Sequence, residues 1–315
     1  MTVIRDVRKT VNNDRVKKES FHGHCSRSRP LIGFHVSIAG GIARSVERAS
    51  LLGCNAMQIF ASSPRSWSCN EPSSLDAASF RDACNKAGVS SVVVHAAYLI
   101  NLSSPNDELF SRSVALFLKQ LEISETIGAG YFVVHLGSPK PLDAAFAIGR
   151  VLEAMKIVAA SALKSEPRTT ILFENTSGAG TGFGASLKDI STIMKGADGL
   201  GLSIGLCFDT CHAFAAGYPF SDAKRLIAII GEEAGLERLK LIHLNDSKGA
   251  FQSRLDRHEH IGKGHIGSAL LGAFLRSSEI RRLPIIMETP KKQTGDDEAN
   301  LSVVKGLFSG AKRAA

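Results

Sequence analysis

At 315 residues, with 44% apolar and 22% charged side chains, the chain has the length and composition of a globular protein that buries its own core. Its apolar runs fall short of the roughly 20 residues a membrane span needs, and its six cysteines are scattered without a C-x-x-C pair, which sets aside a membrane protein and a secreted disulfide scaffold. The net charge of +8 is concentrated at the start: residues 1–30 hold eight Lys/Arg against three Asp/Glu, leaving +3 for the rest.

That first segment lacks a sustained hydrophobic period and reads as a basic, flexible tail over 1–30, ahead of one domain over 31–315. A secretory signal is excluded by the missing apolar stretch, and a transit peptide is disfavoured by Asp6, Asp14 and Glu19. From residue 31 short apolar runs alternate with amphipathic segments. Strands are predicted at 31–36, 56–60, 92–95, 132–136, 171–174, 204–208, 239–244 and 284–287, all β-branched or apolar like strands buried on both faces. Helical patterns at 41–52, 75–87, 108–127, 142–163, 187–195 and 222–234 lie between them, with Gly53, Gly88 and Gly128 as stops. Eight strand–helix units without an internal linker predict an α/β fold of the (β/α)8 TIM-barrel type. The alternative, an open doubly wound sheet, usually carries a glycine-rich phosphate loop after its first strand, and HVSIAGG is not G-x-G-x-x-G.

Position then singles out the polar residues. His95, His135, Glu174, Asp209, His243 and Glu288 end six consecutive strands, and in a barrel those ends share one mouth. His212 follows Asp209 by three residues, so one helical turn aims it at the same mouth, and DRH adds Asp256 and His258 on the loop after the seventh strand. Taken singly, each has a bland explanation: a strand-end histidine is usually a satisfied polar group, and Asp209 has the position of a helix cap. Together they are costly in a low-dielectric mouth unless cations neutralise them. Imidazole nitrogen and carboxylate oxygen suit zinc, and this many ligands imply two or three metals, the arrangement that clamps both oxygens in phosphoryl transfer. Cys207 and Cys211 read as core.

HAAYLINLSS (95–104), GLCFDTCHAFAAG (205–217) and HLNDSK with SRLDRHEHIGKG (243–264) closely resemble the signature stretches of the endonuclease IV family of abasic-site endonucleases. FENTSGAG (173–180) and IIMET (285–289) are similar as well. The resemblance implies a TIM barrel with three zinc ions, manganese being an alternative at some sites. Such an enzyme hydrolyses the phosphodiester 5′ to an abasic site in double-stranded DNA during base excision repair, leaving a 3′-hydroxyl. Trimming of blocked 3′ ends is left open. On this resemblance His95, His135 and Glu174 hold the first zinc, and Glu174 bridges to a second shared with Asp209, His243 and Glu288. His212, Asp256 and His258 hold the third, and Glu288 also steers the attacking water. Arg65, Trp67 and Tyr98 are implied to enter or support the damaged duplex, with core packing an equal reading of Trp67. Lys248 and Arg257 supply a local phosphate-binding patch. Lys263 and Ala97 are the departures from the family pattern, and neither removes a ligand.

Two other classes are weighed. A sugar isomerase or epimerase on the same barrel would use Glu174, Asp209, His243 and Glu288, leaving the other histidines unexplained. A non-catalytic DNA or metal binder would show DNA affinity without turnover. The expected protein is an intracellular monomer, cytoplasmic in a prokaryote or nuclear or organellar in a eukaryote, with no membrane partner.

Overall fold

The computed structural model describes residues 29–162 and 168–309. The basic tail falls almost wholly on residues 1–28, outside the described residues. In chain order the strands are β1 (Ile32–His35), β2 (Ala56–Phe60), β3 (Ser91–His95), β4 (Tyr131–Val134), β5 (Thr170–Glu174), β6 (Ile204–Asp209), β7 (Leu239–His243), β8 (Asp246–Ser247), β9 (His258–Glu259) and β10 (Ile285–Met287). The helices are α1 (Ile42–Leu51), α2 (Ser74–Ala87), α3 (Asp107–Ile127), α4 (Ala144–Ala162), α5 (Leu187–Gly196), α6 (Thr210–Ala216), α7 (Ala223–Ala234), α8 (Gly267–Leu275) and α9 (Asp296–Ser309). Eight parallel strands close a barrel in the order β1-β10-β7-β6-β5-β4-β3-β2, and β8 and β9 form a separate antiparallel hairpin. This is the (β/α)8 barrel the alternation of elements predicts.

Side-chain alternation sorts each strand into two faces. Ala56, Val93, Val133, Leu172, Cys207, Leu241 and Ile286 form a cluster of their own inside the barrel. Their strand neighbours, such as Val92, Val94, Phe132, Phe173, Leu206 and Phe208, join the larger cluster under the helices. The filled interior is therefore a packed layer, and truncating one of its fully buried neighbours such as Phe132 is expected to cost about 3–5 kcal/mol. At Gly33 a Cβ would collide with the Ala56 carbonyl oxygen, so only hydrogen fits where β1 passes β2.

Caps set the helix ends. Ser73 and Asp76 form a reciprocal capping box on α2, and Asn106, Ser186 and Asp222 cap α3, α5 and α7. Gly88 and Gly128 end α2 and α3 in the left-handed region, where a Cβ is disfavoured. The buried Asp246 carboxylate accepts from the backbone N–H of Ser247, Gly262, Gly264, Ile266 and Gly267, at 2.8 to 3.3 Å. One carboxylate thus braces the long loop after β7 that carries Asp256 and His258.

Candidate metal centre

The interior layer dictates what crowns it. Two residues beyond an inward-facing residue, a strand points inward again. His95 follows Val93 in this way, His135 follows Val133, Glu174 follows Leu172, Asp209 follows Cys207, His243 follows Leu241 and Glu288 follows Ile286. β4 stops at Val134 and β10 at Met287, one residue short of His135 and Glu288, but both keep the face of their strand. The same rule adds two residues that sequence reasoning missed: Gln58, two beyond Ala56, and His35, two beyond Gly33. A glutamine inside the apolar run AMQIF was the available signal.

Glu174 sits at the centre, fully buried. Its Oε2 lies 3.3 Å from Nε2 of both His95 and His135, and its Oε1 lies 2.8 Å from Nδ1 of His243 and 3.5 Å from Nδ1 of His212. Three overlapping groups bring their ligand atoms within 4.8 Å of one another: His95, His135 and Glu174; Glu174, Asp209, His243 and Glu288; and Asp209, His212 and His258. Asp256 joins the last group from its exposed loop, with Oδ1 3.1 Å from His212 Nε2 and 3.6 Å from His258 Nε2. Cys207 also reaches Glu174 and His243, although burial raises its thiol to about 12, which keeps it protonated.

Hydrogen bonds behind the ring decide which nitrogen faces it. Nδ1 of His95, His212 and His258 meets the carbonyl oxygens of Ala96, Asn175 and Glu288 at 2.8, 2.9 and 3.1 Å. A carbonyl only accepts, so each Nδ1 donates and, in the neutral ring, each Nε2 offers a lone pair to the cluster. His95 Nε2 then faces a Glu174 oxygen, and His212 Nε2 faces an Asp256 oxygen. Such acceptor pairs repel unless a proton or a cation lies between them. His258 Nε2 is buried with no hydrogen-bond partner. The donor set therefore fits divalent cations on an observation independent of residue type.

The electrostatics agree. Burial opposes a charge on His212, yet Asp209, Asp256 and Glu174 overcome it and raise its pKa to about 10. Burial likewise opposes a charge on His243, but the ionised carboxylates of Glu288 and Glu174 hold it well above its ordinary value. Burial works against the charge on Glu174 and Glu288 too, but the facing imidazoles outweigh it and hold both well below the usual carboxylate range. Cations compete with protons for these same lone pairs.

The carboxylates are themselves held. Asp209 caps α6 by accepting from the His212 backbone N–H at 2.7 Å through Oδ1, while Asn245 donates to its Oδ2 at 2.7 Å. The cap and a place in the candidate metal cluster thus coexist. Asn175 grips the Asp209 backbone from both sides, and Asn245 Oδ1 accepts from the Glu288 N–H. Asn175 and Asn245 lie next to or near the nominated residues in sequence, and sequence reasoning missed them.

The expected DNA-contacting residues are spread around this mouth. Tyr98 is 63% exposed, with its ring edge-on to Phe60 and 5.9 Å from His95. It lines a cavity of about 730 Å³ together with His35, His258, Glu288 and Lys291. Arg65 lies on the loop after β2, and Lys248 and Arg257 are exposed on facing sides of the hairpin, joined by a backbone hydrogen bond of 2.9 Å. Trp67 is half-buried against the core, with the Arg112 guanidinium 4.4 Å over its ring. Packing engages it.

Residues 46–306 match the family model described as a xylose isomerase-like TIM barrel. A curated relative from Halothermothrix orenii, named probable endonuclease 4, is 40% identical over 273 residues, covering 86% of this chain and 97% of the relative. The crystal structure of endonuclease IV from Thermus thermophilus matches with a TM-score of 0.79 at 35% identity, over 90% of this chain and all of that one. A D-tagatose 3-epimerase-like protein matches with a TM-score of 0.67 at 20% identity, over 88% of this chain and 97% of that one, a likeness of fold alone. Among the described residues no helix is long and apolar enough to cross a membrane.

Proposed function

The chain belongs to the endonuclease IV family, deoxyribonuclease IV-type hydrolases of DNA repair, and from that premise we propose that it hydrolyses the phosphodiester 5′ to abasic sites in duplex DNA. The observation that carries this reading is the set of inward nitrogens and carboxylate oxygens held so close that each pair needs a proton or a cation between them, with His258 Nε2 left unpartnered. His95, His135 and Glu174 would hold one zinc ion. Glu174, Asp209, His243 and Glu288 would hold a second, and His212, Asp256 and His258 a third. Manganese is the alternative at the oxygen-rich second group. Bound ions of this kind acidify an attacking water into the neutral range and offset charge on the attacking and leaving oxygens.

The chain's own residues do the rest. Glu288, on the cavity wall, orients the attacking water in line with phosphorus. Tyr98, the large aromatic exposed beside the centre, stacks against the duplex where the base is missing, and base–aromatic stacking is worth about 1–3 kcal/mol. An abasic nucleotide lacks pairing and stacking, so extruding it is cheap, which supplies selectivity. Arg65, Lys248 and Arg257 contact phosphates, and Trp67 supports Arg65 by packing its loop. Blocked 3′ ends would be trimmed by the same groups. A sugar isomerase would need only Glu174, Asp209, His243 and Glu288 and would leave the remaining imidazoles without a use.

The test is a labelled duplex carrying one tetrahydrofuran abasic analogue, which cannot undergo β-elimination. A single 5′ cut leaving a polymerase-extendable 3′ end, lost on chelation, is expected. No cut from protein shown to carry metal would overturn the proposal.

A further inference from the structure

Gln58 lies in the middle of β2 and is fully buried at the floor of the mouth, touching two of the proposed ligands. We infer that Gln58 is a positioning residue: it locks the His243 ring with its proton on Nε2 and its lone pair on Nδ1, and it anchors the Glu288 carboxylate. The inference rests on the metal reading above and deepens it.

The carboxamide has one acceptor and two N–H donors. One of its polar atoms lies 2.6 Å from Glu288 Oε1. An ionised carboxylate only accepts, so that atom is the nitrogen, and the amide orientation follows. The oxygen then faces His243 Nε2 at 2.8 Å, so His243 must donate from Nε2. Its Nδ1 is left 2.8 Å from Glu174 Oε1 and 3.5 Å from Glu288 Oε2, among the atoms that would share a cation. The second amide N–H meets His35 Nδ1 at 3.0 Å, so both N–H groups and the oxygen of Gln58 are engaged.

His243 is the odd member of the set. His95, His212 and His258 give Nδ1 to backbone carbonyls and offer Nε2 inward. His243 is turned the other way, and its anchor is a side chain. Partners that fix the free nitrogen of a ligating histidine are typically worth 10–100-fold in metal affinity. Gln58 also ties the two ends of the second ligand group together, since a single amide holds both His243 and Glu288.

The experiment uses the full chain labelled with ¹⁵N-histidine, loaded with zinc, and two variants. In the parent the His243 proton is expected on Nε2, protected from exchange. Gln58→Met keeps the volume and removes all three bonds. It should lose that protection, give up its most weakly held zinc to a chelator roughly 10–100-fold more readily, and lower kcat on the tetrahydrofuran duplex with KM little changed. Gln58→Glu keeps the acceptor for His243 but sets a carboxylate against Glu288, so it should keep the protected proton while kcat falls. A zinc-loaded parent with the His243 proton on Nδ1 would overturn this inference alone, without needing either variant to fold. A Gln58→Met protein matching the parent in zinc retention and proton protection would overturn it too. A parent that takes up no zinc would overturn the metal reading, and the inference with it.

Discussion

Replacing Glu174 with glutamine keeps the shape of the side chain and removes its charge, so the response isolates electrostatics from packing. Glu174 is fully buried and faces imidazole nitrogens at 2.8, 3.3, 3.3 and 3.5 Å. In the metal-free chain the carboxylate holds a proton on His243, and removing one partner of a buried ion pair costs about 3–5 kcal/mol. For a domain of this size each kcal/mol shifts the melting temperature by roughly 2 °C, so the metal-free variant should melt about 6–10 °C below the metal-free parent. With zinc the effect should be larger, because Glu174 belongs to two of the three proposed ligand groups. Losing a mere supporting partner weakens metal binding about 10–100-fold, which sets the lower bound for losing a shared ligand. Scanning calorimetry with and without chelator, metal analysis after dialysis and cleavage of the tetrahydrofuran duplex read the three effects. A Glu174→Gln protein that keeps its zinc and cuts within about tenfold of the parent would refute the assignment of Glu174 as the shared ligand.

Three further outcomes follow from particular groups. The His212 pKa of about 10 in the fold, against 6.5 for an ordinary histidine, contributes stability that is complete below pH 6.5 and lost as pH rises toward 10. The metal-free chain should therefore melt at lower temperature at about pH 9 than at about pH 7, while zinc-loaded protein, with His212 committed to the ion, should fall less; a metal-free melting temperature that rises over this window would contradict the sign. Asp246→Ala strips the acceptor from five backbone N–H groups and should destabilise the chain by about 3–5 kcal/mol with metal present or absent, measured by denaturant unfolding. Tyr98→Ala should weaken binding to the abasic duplex by about 1–3 kcal/mol, or roughly 5–150-fold, with metal content unchanged, as read by fluorescence anisotropy; unchanged affinity would remove Tyr98 from the DNA interface.

The barrel was legible because parallel strands buried on both faces advertise themselves as continuous apolar runs, and their polar terminal residues stood out against them. Six of the eight strands carry, at or just past their C-terminal ends, an ionisable residue that the sequence reading gathers into one mouth. His35 and Gln58 escape that reading because apolar residues follow them in sequence, Val36 after His35 and Ile59 and Phe60 after Gln58, so neither stands out as a strand end although β1 stops at His35. Only the two-residue step beyond Gly33 and Ala56, once the interior layer is known, places them in the ring. The hairpin of β8 and β9 gives little local signal, since its loop is fixed by distant groups: the Asp246 carboxylate, and the α6 carbonyls of Phe214 and Ala215, which accept from Gln252 and Arg254. Those two residues hold left-handed backbone without being glycine, which no local preference foretells. Helices α8 and α9 went unread for a related reason. Neither stands out as an amphipathic stripe, and α8, GSALLGAFL, is apolar around most of its circumference, so no 3.6-residue period emerges.

Everything proposed for this chain depends on the strand-end ring holding several divalent cations at once. The direct measurement is elemental mass spectrometry on full-length protein purified without chelator and dialysed, paired with cleavage of the tetrahydrofuran duplex as zinc is titrated back into stripped protein. The account predicts close to three ions per chain and cutting that returns only as the last of them is restored. A chain that saturates with a single ion, or that cuts fully when stripped of metal, would contradict it.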